Sequence, residues 1–125
     1  MGINIHNEFL KISGTDVNAT ALTSGTAYYT DAVKVRASRG FSALQAVLSD
    51  GSDDLDISFQ VSLNGVDWYD PVNTAGTALG TIYTALGVGS HWVVFSPQLA
   101  LYIRFLLDPD ANTTAAIRYI QQEGD

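Results

Sequence analysis

Residues Ile57–Pro71 read ISFQVSLNGVDWYDP, and this stretch decides the fold class. Ile57, Phe59, Val61 and Leu63 alternate with Ser58, Gln60 and Ser62, the period-two pattern of a strand with one buried face. Asn64-Gly65 supplies two residues that tolerate positive φ, as a type I′ turn requires, and Trp68-Tyr69 resumes an apolar, aromatic strand. The stretch predicts a β-hairpin.

The same pattern extends in both directions. Upstream, Val33, Val35 and Ala37 share one face of a strand over Tyr28–Ala37, with Lys34 and Arg36 on the other. In Phe41–Ser49, Ser42, Leu44, Ala46 and Leu48 alternate with Ala43, Gln45 and Val47. A short helix competes there, because Phe41, Leu44 and Leu48 also fit one helical face. The neighbouring strands and short loops favour a strand. Val17–Thr26 is rich in small and polar residues and reads as loop or edge strand. Downstream, HWVVF (91–95) is a compact apolar strand. LYIRFLL (101–107) places Leu101, Ile103, Phe105 and Leu107 on one face, and Thr113–Gln121 sets Ala115, Ile117 and Tyr119 opposite Ala116, Arg118 and Ile120. Between them Val72–Gly89 holds four glycines and no sustained period, and reads as a long loop with an apolar patch at Leu79, Ile82, Tyr83 and Leu86.

Short strands, about seven or eight of them, with almost no helical periodicity predict an antiparallel β-sandwich or barrel. We expect an all-β, jelly-roll-like sandwich. An immunoglobulin-like arrangement is the alternative, and its Cys-Trp-Cys core is missing. Residues 13–125 form the single sandwich domain in this reading, and 1–12 an arm (Met1–Asn7) with a candidate first strand (Glu8–Ile12).

Composition narrows the function. The 125 residues are 46% apolar and 15% charged, enough for a folded core without disulfides or a structural metal. Thirteen acids against six bases give a net charge of −7. Only Lys34, Arg36 and Arg39 cluster among the bases, so the concentrated positive field of a nucleic-acid binder is missing. No apolar run approaches the length of about 18 residues that spans a membrane, and the N-terminus has neither the basic nor the apolar region of a signal peptide. Without cysteine there is no thiol nucleophile and no thiolate metal site.

No recognised nucleophile, metalloprotease or phosphate-binding motif occurs. His6 lies in the arm, and His91 beside Trp92 reads as an edge residue rather than a base. Asp50, Asp53, Asp54 and Asp56, then Asp67 and Asp70, then Asp108 and Asp110 fall in expected turns. Solvated turn residues account for them, with a loop calcium site as the competing reading. We expect no enzyme activity, cofactor or metal. The adjacent pairs Tyr28-Tyr29 and Trp68-Tyr69 must split across the two faces of an extended chain, which exposes one ring of each pair to a sugar or another protein.

The segment FQVSLNGVDWYDP is similar to the Ser-x-Asn-Gly-x-x-Trp hairpin of discoidin-like, galactose-binding-like jelly rolls, and ALYIRFLL resembles their "YIRF" strand. The same hairpin, the Gly/Thr/Ala-rich loop and the "LYIRF" strand also resemble small β-sandwich proteins of tailed-phage virions. That second resemblance implies a non-enzymatic capsid decoration or head–tail accessory protein, assembled in the host cytoplasm into the virion. Its implied partners are other virion proteins, the major capsid protein above all, and further copies of itself, with a trimer favoured and no nucleic acid or membrane involved. The first resemblance implies a carbohydrate-binding module using an exposed aromatic. Interface candidates are Ile3, Ile5 and Phe9 on the arm, Tyr29, Trp68 and Tyr69 among the outward aromatics, and Leu79 and Tyr83 in the long loop.

Overall fold

A computed structural model of the chain describes residues 3–36, 41–49, 55–97 and 100–124. Among these there is no helix. Alternation explains the four longest inner strands: β7 (Ser42–Ser49), β8 (Leu55–Ser62), β11 (Tyr102–Pro109) and β12 (Thr113–Gly124). In β7 the inward set is Ser42, Leu44, Ala46 and Leu48, in β11 it is Ile103, Phe105 and Leu107, and in β12 it is Ala115, Ile117 and Tyr119. The strand reading of Phe41–Ser49 holds over the helical one. A strand buries every second residue, and here the buried series runs at period two.

The remaining strands are β1 (Ile3–Phe9), β2 (Lys11–Ile12), β3 (Thr15–Asp16), β4 (Thr20–Leu22), β5 (Tyr28–Tyr29), β6 (Val33–Lys34), β9 (Thr81–Leu86) and β10 (Gly89–Phe95). All pairings are antiparallel. One sheet, here sheet A, runs β1-β12-β7-β10 with β4 also on β12; the other, sheet B, runs β5-β11-β8-β9 with β6 also on β11. Since β1 and β4 share one lane, β5 and β6 another, and β2-β3 is a separate ribbon, the other ten strands occupy eight lanes in two sheets. The chain crosses from sheet to sheet in a jelly-roll order. Twelve strands replace the seven or eight expected because two lanes are interrupted and β2-β3 adds a two-stranded ribbon. Thr30 marks one break: it is buried, its N–H donates to the Phe105 carbonyl at 2.9 Å, and its hydroxyl accepts from Phe105 N–H at 2.9 Å.

The sheets meet in an aromatic core. Phe59 and Phe105 of sheet B face Phe95 and Tyr119 of sheet A, with Phe105–Tyr119 centroids 5.2 Å apart and Phe59–Phe95 centroids 5.5 Å apart. Edge and offset contacts of this kind add to the burial of each ring. Two polar groups in the interior are satisfied. Tyr119 Oη lies 3.1 Å from Ser42 Oγ, while Gln121 Nε2 donates to the Lys34 carbonyl at 3.0 Å and its Oε1 accepts from Arg36 N–H. Gln121 thereby ties β12 to the β6 segment of the opposite sheet.

Several local expectations change. The hairpin closes through one bridge, Val61 to Tyr69, with reciprocal hydrogen bonds of 3.0 Å. Its turn is wider than type I′, and Gly65 alone in it has positive φ, at 75°. The reason is side-chain competition: Ser62 Oγ accepts from Asn64 and Gly65 N–H, and Asn64 Oδ1 accepts from Val66 and Asp67 N–H. Residues 3–9, read partly as an arm, form β1 and pair with β12 from Ile3↔Gly124 to Phe9↔Arg118. Val17 and Leu22, placed in an edge segment, are core residues at 0% and 1% exposure. The long loop 72–89 resolves into a turn, β9 and the start of β10. Asn73 organises that turn, its Oδ1 accepting from Ala75 and Thr77 N–H. Ala37 and the acidic turn 50–54 lie outside the described residues.

Candidate functional site

The outer face of sheet A carries the largest departure from an ordinary soluble surface. Phe95 closes the core from β10, and the pleat then fixes Trp92 and Val94, at odd spacing from it or one residue before it, by the burial each finds. Val94, next to Phe95, points outward at 59% exposure, and Trp92 follows two residues earlier at 60%. Cross-strand pairing extends this surface. Val94 sits opposite Ala43 of β7, and Ala43 sits opposite Ile120 of β12. One rung away, Trp92, Gln45, Arg118 and Phe9 line up across four strands. Arg118 covers the Phe9 ring at 3.9 Å and donates to Asn7 Oδ1 at 3.0 Å.

Ile5 is 67% exposed and Phe41 63% exposed, and with Trp92, Val94 and Ile120 they surround a shallow hollow of about 200 Å³. Among the described residues no charged side chain lines it. β10 has no charged residue either, and among the described strands it ends the sheet, paired to β7 on one side only. An apolar sheet face running to an uncharged edge strand can bury apolar area and donate backbone hydrogen bonds to another chain.

The outer face of sheet B is of different character. Tyr29 on this face is 47% exposed, whereas Trp68 is half-buried. Arg104 of β11 lies between Tyr29 and Trp68, its guanidinium 4.5 Å and 4.7 Å from the two ring centroids. Each aromatic pair does split as the sequence requires: Tyr28 packs on the core and Tyr29 does not. Trp68 lies under Arg104 on the outer face, whereas Tyr69, bridged to Val61, projects from the other side of the segment and is the more exposed ring of its pair.

The other expected positions scatter. Tyr83 stands on β9, at the opposite edge of sheet B from Tyr29, and is 45% exposed. Leu79 is half-buried in the turn before β9, its N–H donating to the Pro71 carbonyl at 2.8 Å. Ile5 and Phe9 join the sheet A face; the side chain of Ile3 lies outside the described residues. The interface candidates thus fall on two different faces rather than forming one site.

A second concavity, of about 220 Å³, lies between β1 and β6 and mixes Glu8 and Asp31 with Lys11, Lys34 and Arg36. Part of this charge is engaged locally. Lys11 pairs with Asp16, a hydrogen bond that raises its pKa, and the Asp31 carboxylate accepts from Ser13 and Gly14 N–H. Described acids of the expected turns behave similarly: Asp56 accepts from Ala85 N–H, Asp67 from Asn64 and Asp70 from Gln60. Among the described residues no group of three or more His, Asp or Glu side chains is placed to hold a metal ion. His91 Nε2 lies 2.7 Å from the Gly87 carbonyl, a structural contact at the start of the edge strand.

Sequence reading passed over Trp92, Val94, Phe41 and Arg104. For β10 the signal was present but unread. Val93, Val94, Trp92 and Phe95 are all apolar, so the run looks buried on both faces, and it is the two-layer sandwich, with nothing among the described residues covering the outside of sheet A, that turns Trp92 and Val94 outward. Comparison with protein-family models finds no match for this chain, and comparison with curated proteins finds no similar one.

Proposed function

We propose that this chain is a non-enzymatic assembly subunit, a virion structural protein of the capsid-decoration or head–tail accessory kind, which binds coat subunits and further copies of itself through the outer face of sheet A. One observation carries this reading: the exposed cluster of Ile5, Phe41, Trp92 and Val94 beside an uncharged, one-sided edge strand. Burying a large apolar side chain contributes about 1.5–3 kcal/mol. Several such side chains together reach the range of about 4–15 kcal/mol that association costs in lost freedom. The net charge of −7 opposes contact between copies at long range, and the absence of charge in β10 keeps that repulsion away from the contact itself.

The sequence resemblance to small tailed-phage sandwiches supplies the virion part of the reading. Gold-labelled antibody against the chain, applied to particles purified from a culture that makes it, tests that part. Labelling at regular positions on a capsid or at its tail junction is the expected result. Intact particles without label, alongside free protein in the supernatant, would overturn it.

A further inference from the structure

Arg104, on the outer face of sheet B, is a half-buried cation that assembly through sheet A does not use. It stands opposite Gln60 across the β11–β8 ladder, and its Nε donates to Gln60 Oε1 at 2.8 Å. Gln60 Nε2 donates onward to Asp70 Oδ1 at 2.9 Å, so an amide stands between that carboxylate and the guanidinium. The rings of Tyr29 and Trp68 lie against the guanidinium, their centroids 4.5 Å and 4.7 Å away. An arginine held by two rings and one hydrogen bond has lost much of its side-chain freedom before any ligand arrives. Its two terminal nitrogens, which carry all its remaining N–H donors, make no hydrogen bond or ion pair among the described residues. A charge drawn out of water is costly until an opposite charge meets it, and the rings offset only part of that cost.

We propose that the Arg104 guanidinium is a socket for the carboxylate of an acidic side chain on a partner protein. The planar fork of terminal nitrogens matches the two coplanar oxygens of a carboxylate, which it binds as a bidentate pair. Two hydrogen bonds are too few to hold a small free acid against the freedom it loses on binding. A protein adds contact with the rest of the face: Tyr29, 47% exposed, and half-buried Leu106 opposite it. Arginine, tryptophan and tyrosine are also the residues that dominate protein contacts energetically. Exposed Lys34, in register with Tyr102, adds a second positive charge to the same face. The net charge of −7 opposes anions, but salt screens that repulsion beyond about 8 Å at physiological ionic strength. What repulsion remains, with Asp70 in the same row, weighs most on a doubly charged phosphate or on a second copy of this acidic chain.

The site lies on the opposite sheet from the assembly face, so either can fail while the other stands. The test is NMR titration of the isotopically labelled protein with the capped peptide acetyl-Leu-Glu-Leu-amide, its glutamine counterpart, acetate and inorganic phosphate. The expected result is saturable shifts with the glutamate peptide at the Arg104 Nε–H, the Trp68 indole N–H and the Gln60 amide. Acetate shifts the same signals at higher concentration, and the glutamine peptide leaves them unmoved. Arg104→Lys, which keeps the charge and loses the planar fork, binds the glutamate peptide about tenfold or more weakly, the scale of one lost charge-assisted hydrogen bond. Should that variant fail to fold, the wild-type titrations decide alone. No shift with the glutamate peptide, shifts that map elsewhere, equal shifts with the glutamine peptide, or undiminished binding in a folded Arg104→Lys each overturn the proposal. Tighter binding of phosphate, or of acetate, than of the glutamate peptide would identify a small-anion site and overturn it too.

Discussion

Tyr119 shows how one side chain can be both core and liability. It is 1% exposed, packs against Phe95 and Phe105, and among the described residues has Ser42 Oγ as the hydrogen-bond partner of its hydroxyl. Burial pushes its pKa from 10.0 up to about 12, with the Ser42 contact pulling the other way. The folded protein holds this proton more tightly than the unfolded chain does. The resulting stability is fully present below pH 10 and is lost as pH rises through about 12. Wild-type protein should lose about 2–3 kcal/mol over that window from this group alone. Tyr119→Phe should lack that part of the decline, as read by urea unfolding at neutral and alkaline pH; parallel declines in the two proteins would refute the assignment. Gly80 is a purely steric counterpart. A Cβ there would lie 2.6 Å from the Phe59 carbonyl oxygen, which is backbone and part of β8. Gly80→Ala should destabilise by about 1–3 kcal/mol, and unchanged denaturation would show that the turn before β9 yields freely.

At the scale of elements, alternation made β7, β8, β11 and β12 legible, because each has one buried face and a clear period. What alternation could not give was the geometry between them. The turn after Ser62 looked like type I′ from Asn64-Gly65, yet Asn64 uses its side chain on Val66 and Asp67 N–H and the turn opens. Asn64→Ala should cost about 1–2 kcal/mol through those lost bonds. It should also shift the emission of Trp68, whose position under Arg104 depends on that turn. A stable variant with unchanged fluorescence would mean the Val61–Tyr69 bridge alone holds the segment. The apolar run 91–95 was legible as a strand but not as an edge, since edge position depends on which strands pair, a matter of contacts far apart in sequence. β1 illustrates the same limit: INIHNEF carries too weak a pattern to read as a strand, and its partner β12 lies at the other end of the chain.

For the whole molecule, the sandwich was foreseeable from strand number and spacing, whereas the eight-lane order was not. That order underlies the proposed assembly face, because it leaves β10 as an edge strand among the described residues and gathers Ile5, Phe41, Trp92, Val94 and Ile120 from separated segments onto one face. The candidate residues on β1 were identified from sequence for a different reason, as parts of an arm. Their actual role in the account is to complete that face. Sedimentation equilibrium of the wild type beside a Trp92→Lys, Val94→Lys double variant tests the central claim most directly. The account predicts a wild-type mass that is a multiple of 13.4 kDa, a trimer being expected, and a folded, monomeric variant. A monomeric wild type, or a variant that assembles just as the wild type does, would contradict it.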